Sequence, residues 1–162
     1  MDNKALYILA GYDDETGRRL QAIQDKLYEE GFTGTQTKNI PMHTTMGSFP
    51  TDMEEELKAK LIELSETVPA FDVSFSHVGM FSGARVLFVA PDASHKMLEL
   101  KEKFGDSFGW ARHTTMLIDD PEVIYKALPI VMEEFSSFKG KMSRLYLYEF
   151  FPTRHILTVE LK

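Results

Sequence analysis

"HTTMGSFP" (residues 43–50) and "HTTMLIDD" (residues 113–120) open with the same four residues, 70 positions apart, in a chain of 162 residues with five histidines. With ordinary residue frequencies, a chance match of the three residues after a second histidine is on the order of 10⁻³. Such repetition points to an internal duplication, and the elements around each motif recur in the same order.

Ahead of the first motif, "ALYILAG" (5–11) reads as a strand closed by Gly11. "DDETGRRLQAIQDKLYEEG" (13–31) follows as an amphipathic helix, with Leu20, Ile23, Leu27 and Tyr28 at helical spacing and Gly31 at its C-terminal end. "IPMHTTMGSF" (40–49) reads as a strand that begins at a sheet edge, because Pro41 cannot donate to a ladder. "TDMEEELKAKLIELSETV" (51–68) is a helix, with Thr51 and Glu54 at capping-box spacing and Leu57, Leu61 and Leu64 along one face. "AFDVSFSHVGMF" (70–81) alternates Phe71, Val73 and Phe75 with Asp72, Ser74 and Ser76, the period of a half-buried strand.

The pattern then restarts. "ARVLFVAP" (84–91) reads as a strand, "DASHKMLELKEKFG" (92–105) as a helix and "ARHTTMLI" (111–118) as a strand. A helix over 119–138 has Asp120 as N-cap and Pro121 in its first turn, and "KMSRLYLYEFF" with "RHILTVELK" forms a closing hairpin around Pro152 and Thr153. The expected class is α+β: one domain over 1–162, a duplicated β-α-β-α-β with repeats at approximately 1–80 and 81–162, related by a pseudo-twofold axis. That axis would set the two HTTM segments face to face.

Composition narrows the functions. A net charge of −7 argues against binding long duplex nucleic acid, which rests on many cations displacing counterions from phosphates. The absence of cysteine excludes disulfides, thiolate catalysis and Cys-based zinc sites. The N-terminal stretch "MDNKALYILAGYDDE" has too short an apolar run for a signal segment or a membrane span, so a soluble cytoplasmic protein is expected.

On a strand, residues i and i+2 share a face, so His43 projects with Thr45 and His113 with Thr115, while Thr44 and Thr114 point into the layer beneath. Two imidazoles in one cleft supply a general base and a general acid, which suits in-line displacement at phosphorus. The threonine hydroxyls can donate to non-bridging phosphate oxygens. Metal binding is the other use of paired histidines, but neither motif has a third ligand at a recognised spacing.

Two His-x-Thr-x motifs, "HTTM" at 43–46 and "HTTM" at 113–116, in this duplicated frame resemble the 2H phosphoesterase superfamily, which includes the 2′-5′ RNA ligase-like proteins and RNA 2′,3′-cyclic phosphodiesterases. The resemblance implies a bilobal fold with antiparallel sheets around a central cleft, His43 and His113 as the acid/base pair, Thr45 and Thr115 as phosphate ligands, and no metal or other cofactor. It also implies a small phosphodiester or nucleotide substrate, or an RNA end, carrying a 2′,3′-cyclic phosphate or a 2′-5′ linkage. The family usually places an apolar residue between His and Thr, where this chain has Thr44 and Thr114. RNA-acting members often carry a basic residue soon after the second motif, where this chain continues "LIDDP", which favours a small nucleotide.

Phe49, Tyr148 in the aromatic run "YLYEFF" (146–151), and Arg144 are candidate substrate contacts; Arg85 and Arg154 are further candidate anion partners, and Trp110 reads as packing. A nucleotide- or phosphate-binding module that keeps the cleft without turnover is the alternative function.

Overall fold

The computed structural model describes residues 3–81, 83 and 85–162. Met1 and Asp2 of the N-terminal stretch, and Ala84 at the start of the expected fourth strand, lie outside the described residues. Among the described residues the chain runs β1 (Ala5–Tyr12), α1 (Asp14–Glu29), β2 (His43–Phe49), α2 (Glu54–Thr67), β3 (Phe71–Phe81), β4 (Val86–Pro91), α3 (His95–Glu102), β5 (Thr114–Ile118), α4 (Pro121–Glu134), β6 (Phe138–Phe150) and β7 (Arg154–Glu160). This is the α+β alternation read from the sequence.

All ladders are antiparallel and join into one sheet of order β2-β1-β6-β3-β4-β5, with β7 on β6. Exchanging β1 with β4, β2 with β5 and β3 with β6 reverses that order onto itself, the mark of the pseudo-twofold. The third strand of each half is traded: β6 pairs with β1, and β3 pairs with β4. The two long strands meet at the centre, where Phe71 to Phe75 pair with Met142 to Phe138. Both motif strands therefore end up as the terminal members of the order.

One face of the sheet carries the core. Leu6, Ile8, Leu145 and Leu147 pack with Leu20 and Leu27 of α1, Leu57, Leu61 and Leu64 of α2, Leu100 of α3 and Val131 of α4 in a single cluster. Each such side chain stabilises the fold by about 1.5–3 kcal/mol. The alternate residues face the other way: Leu9, Tyr146 and Tyr148 form a separate strip, with Tyr7, Ile40 and Phe150 against it.

One helix start differs from expectation, and another keeps its expected cap residue without the side-chain cap bond. Thr51–Met53 forms a 3₁₀ turn ahead of α2, without a side-chain cap bond. Glu54 instead engages Arg154, which takes the carboxylate the capping box needs. Asp120 occupies the N-cap position of α4 with Pro121 in its first turn, but its carboxylate pairs with Arg85 rather than the helix amides.

Candidate active site

The motif strands carry the same irregularity at the same residue. Between β1 and β2, Ile8 pairs with Gly47 and Leu9 with Thr45, leaving Met46 without a partner; between β4 and β5, Leu87 pairs with Leu117 and Phe88 with Thr115, leaving Met116 without one. Both methionines are fully buried. Such a bulge shifts the facing of everything after it. Phe49, which strict alternation would place beside His43 and Thr45, pairs with Leu6 and packs on the core. It is not part of the cleft.

At or beside each bulge, a side chain from elsewhere in the chain bonds one backbone carbonyl. The Trp110 indole N–H donates to the Thr45 carbonyl at 3.2 Å. The buried Gln24 amide on α1 donates to the Met116 carbonyl at 3.0 Å. Trp110 is thus a support of the first motif as well as a packing residue.

The two imidazoles are anchored alike. His43 Nδ1 lies 2.7 Å from the Pro41 carbonyl, and His113 Nδ1 lies 2.9 Å from the Ala111 carbonyl. A carbonyl only accepts, so Nδ1 carries the proton in both neutral rings and Nε2 is the nitrogen left for a substrate. Burial pushes the His43 pKa below its ordinary value; the bond to Pro41 opposes this, and the nearby His113 adds to it. The His113 ring stands edge-on to Phe81 and Phe88, with centroids 4.9 and 5.6 Å away.

A cavity of about 760 Å³ opens beside the first motif, lined by His43, Thr45 and Thr115. Tyr7, Leu9, Phe150 and Phe151 form one wall, and α1 with the connection after it forms the other. That connection is pinned to the edge of β5: the Thr35 N–H donates to the Ile118 carbonyl at 2.8 Å, and Gln36 Oε1 accepts from the Ile118 N–H at 3.0 Å. The close approach requires Gly34, whose φ is +64° and where a Cβ would sit 2.8 Å from the Ile118 carbonyl oxygen. His113 does not line this cavity and is linked to it through its electrostatic effect on His43.

The remaining candidates are placed as follows. Tyr148 is buried beneath the cavity wall, stacked on Phe150 at 5.7 Å, while Phe150 and the exposed Phe151 line the cavity itself. Arg144 is tied to Asp14 at 2.9 Å, Glu160 at 2.7 Å and the Tyr12 carbonyl at 3.1 Å, on a separate cavity of about 360 Å³. Arg85 and Arg154 are paired with Asp120 and with Glu54 and Glu149. Among the described residues, no group of three or more His, Asp or Glu could hold a metal ion, and no helix is long and apolar enough to cross a membrane.

A residue that joins the two motifs escaped the sequence reading, as did Gln24 and Gly34. Tyr12, at the end of β1, places its hydroxyl 2.9 Å from Thr44 Oγ1 and 2.8 Å from Thr114 Oγ1. The signal was the pair of inward-facing threonines, since buried hydroxyls need a hydrogen-bond partner.

No protein-family model matches the chain, and no curated protein matches it. Solved structures do match. E. coli LigT complexed with ATP aligns over 98% of both chains at 15% identity, with a TM-score of 0.64. E. coli LigT with 3′-AMP aligns over 98% of both at 13% identity and 0.65, and a phosphoesterase over 99% of both at 14% and 0.61. The chain therefore has the fold of E. coli LigT and of that phosphoesterase, the fold that its two HTTM motifs led us to expect.

Proposed function

We propose that the chain is a metal-independent 2H-type phosphodiesterase that opens a 2′,3′-cyclic phosphate, or cleaves a 2′-5′ linkage, on a small nucleotide or an RNA end. The observation that carries this reading is the matched anchoring of the two imidazoles, each Nδ1 on the carbonyl two residues before it and each Nε2 without a hydrogen-bond partner among the described residues. His43, held neutral by burial, takes the proton from a water molecule through Nε2 as the water oxygen attacks phosphorus. The bond from phosphorus to one ribose oxygen breaks, and protonated His113 gives that oxygen its proton. Thr45 and Thr115 hold the non-bridging oxygens. Ligation is the same displacement with a ribose hydroxyl in place of water: its oxygen bonds to phosphorus, the bond to one ring oxygen of the cyclic phosphate breaks, and that oxygen takes the proton.

A cavity of about 760 Å³ with an aromatic wall suits a nucleotide. E. coli LigT complexed with ATP, 3′-AMP and NADP+ supports a ligand of that size. A chain without cysteine also suits the reducing cytoplasm, where we place the activity. A module that binds nucleotides without turnover is the second reading, favoured by the position of His113 off the cavity wall. Turnover of 2′,3′-cyclic nucleotides separates the two: product formation supports the enzyme, and binding without product supports the module.

A further inference from the structure

We propose that Tyr12 is a positioning residue, whose single hydroxyl, bonded to both Thr44 and Thr114, sets the separation of the two motif strands and so of His43 and His113; its catalytic meaning rests on the two-histidine reading above. The three side chains are 2%, 0% and 1% exposed, so water does not compete for their hydrogen bonds. A phenol has one proton, so it donates to at most one threonine and accepts from the other. Burial pushes the Tyr12 pKa up to about 12, which keeps that proton in place across the working range of an enzyme.

Thr44 lies between His43 and Thr45 in sequence, and Thr114 lies between His113 and Thr115. β2 and β5 stand at opposite ends of the strand order and share no ladder, so no strand pairing sets the distance between them. Tyr12 spans that gap from β1, with its ring held edge-on by Phe75 at 5.5 Å. Hydroxyls at these two inward positions exchange non-directional packing for bonds with a fixed length. The device acts through backbone neighbours and leaves the cleft face to the histidines.

The test is a double-mutant cycle of Tyr12→Phe and Thr114→Val, read by kinetics and by the imidazole resonances of His43. Tyr12→Phe is expected to lower kcat by ~10- to 100-fold with KM within about twofold, the pattern of misplaced reacting groups. Losses in the double variant are expected to fall short of the product of the single losses. Thr114→Val is expected to shift the His43 resonances when Tyr12 is present and not in the Tyr12→Phe background. Unchanged kcat in folded Tyr12→Phe, multiplicative losses, or His43 resonances indifferent to Thr114 each overturn the proposal. Where Tyr12→Phe does not fold, the near-isosteric Thr114→Val carries the test, and unchanged kcat and His43 resonances overturn it. A wild-type chain that turns over no cyclic nucleotide counts against the phosphoesterase reading alone, and the resonance cycle still decides on Tyr12.

Discussion

Pro41 and His43 are joined by a 2.7 Å hydrogen bond that fixes which ring nitrogen of the histidine is left for chemistry. The proline carbonyl accepts a hydrogen bond from the Nδ1–H, so the neutral ring presents a bare Nε2. Ala111 and His113 repeat the relationship at 2.9 Å. A tautomer set by the backbone in this way survives substitution of most surrounding side chains.

The depressed pKa of His43 has a kinetic and a thermodynamic consequence. If neutral His43 is the base, the acid limb of the pH–rate profile lies below the ordinary histidine value of 6.5, because the ring loses its proton early. The unfolded chain binds a proton at His43 more readily than the folded one. The share of stability linked to His43 is therefore full above about 6.5, starts to fall as pH drops through that value, and is gone below the folded pKa. Urea melts of wild type and His43→Ala between pH 5 and 8 should show a shallower decline in the variant.

The bulge carbonyls predict which supports matter. Gln24→Leu leaves the Met116 carbonyl without its donor in a buried setting, at a cost of about 1–3 kcal/mol. Chemical denaturation measures this directly. A cost indistinguishable from zero would mean that the Met116 carbonyl has another partner.

The duplicated HTTM word and the alternation of elements around it were enough to anticipate the element order, the pseudo-twofold and the inward-facing Thr44 and Thr114. Three features were beyond the local pattern. A bulge at Met46 and Met116 leaves no trace in apolar periodicity, so nothing in the sequence showed that Phe49 turns away from the face of His43 and Thr45. The trade of β3 and β6 between halves is a long-range pairing choice that neither strand's own sequence specifies. Arg144 looked like an anion site because its carboxylate partners, Asp14 and Glu160, lie far from it in sequence. Tyr12 lies one residue past the apolar run that closes at Gly11 and so carried no reading, although Thr44 and Thr114 were already in view.

Gly34→Ala should weaken substrate binding more than chemistry. A side chain there meets the Ile118 carbonyl and is strained at the left-handed φ of +64° that Gly34 already holds, so the connection that closes the cavity must lift from β5. The expected outcome is a raised KM, little change in kcat, and a stability loss of about 1–3 kcal/mol. Steady-state kinetics with a thermal melt would show both.

Phe151 is 65% exposed yet lines the cavity, so it contributes little to the core and is free to stack on a base. Phe151→Ala is expected to raise KM by about 5- to 150-fold, corresponding to about 1–3 kcal/mol of stacking, with the melting temperature unchanged. Equal KM values for the two proteins would place the base elsewhere.

The most direct measurement is turnover of 2′,3′-cyclic nucleotides by the purified chain in excess chelator, followed by phosphorus NMR, for wild type, His43→Ala, His113→Ala and the double variant. Two-histidine catalysis predicts a nucleoside monophosphate product from wild type, a loss of about 10²- to 10⁴-fold in each single variant, and folded proteins throughout. Full turnover in the double variant, or activity that disappears with the chelator, would contradict it.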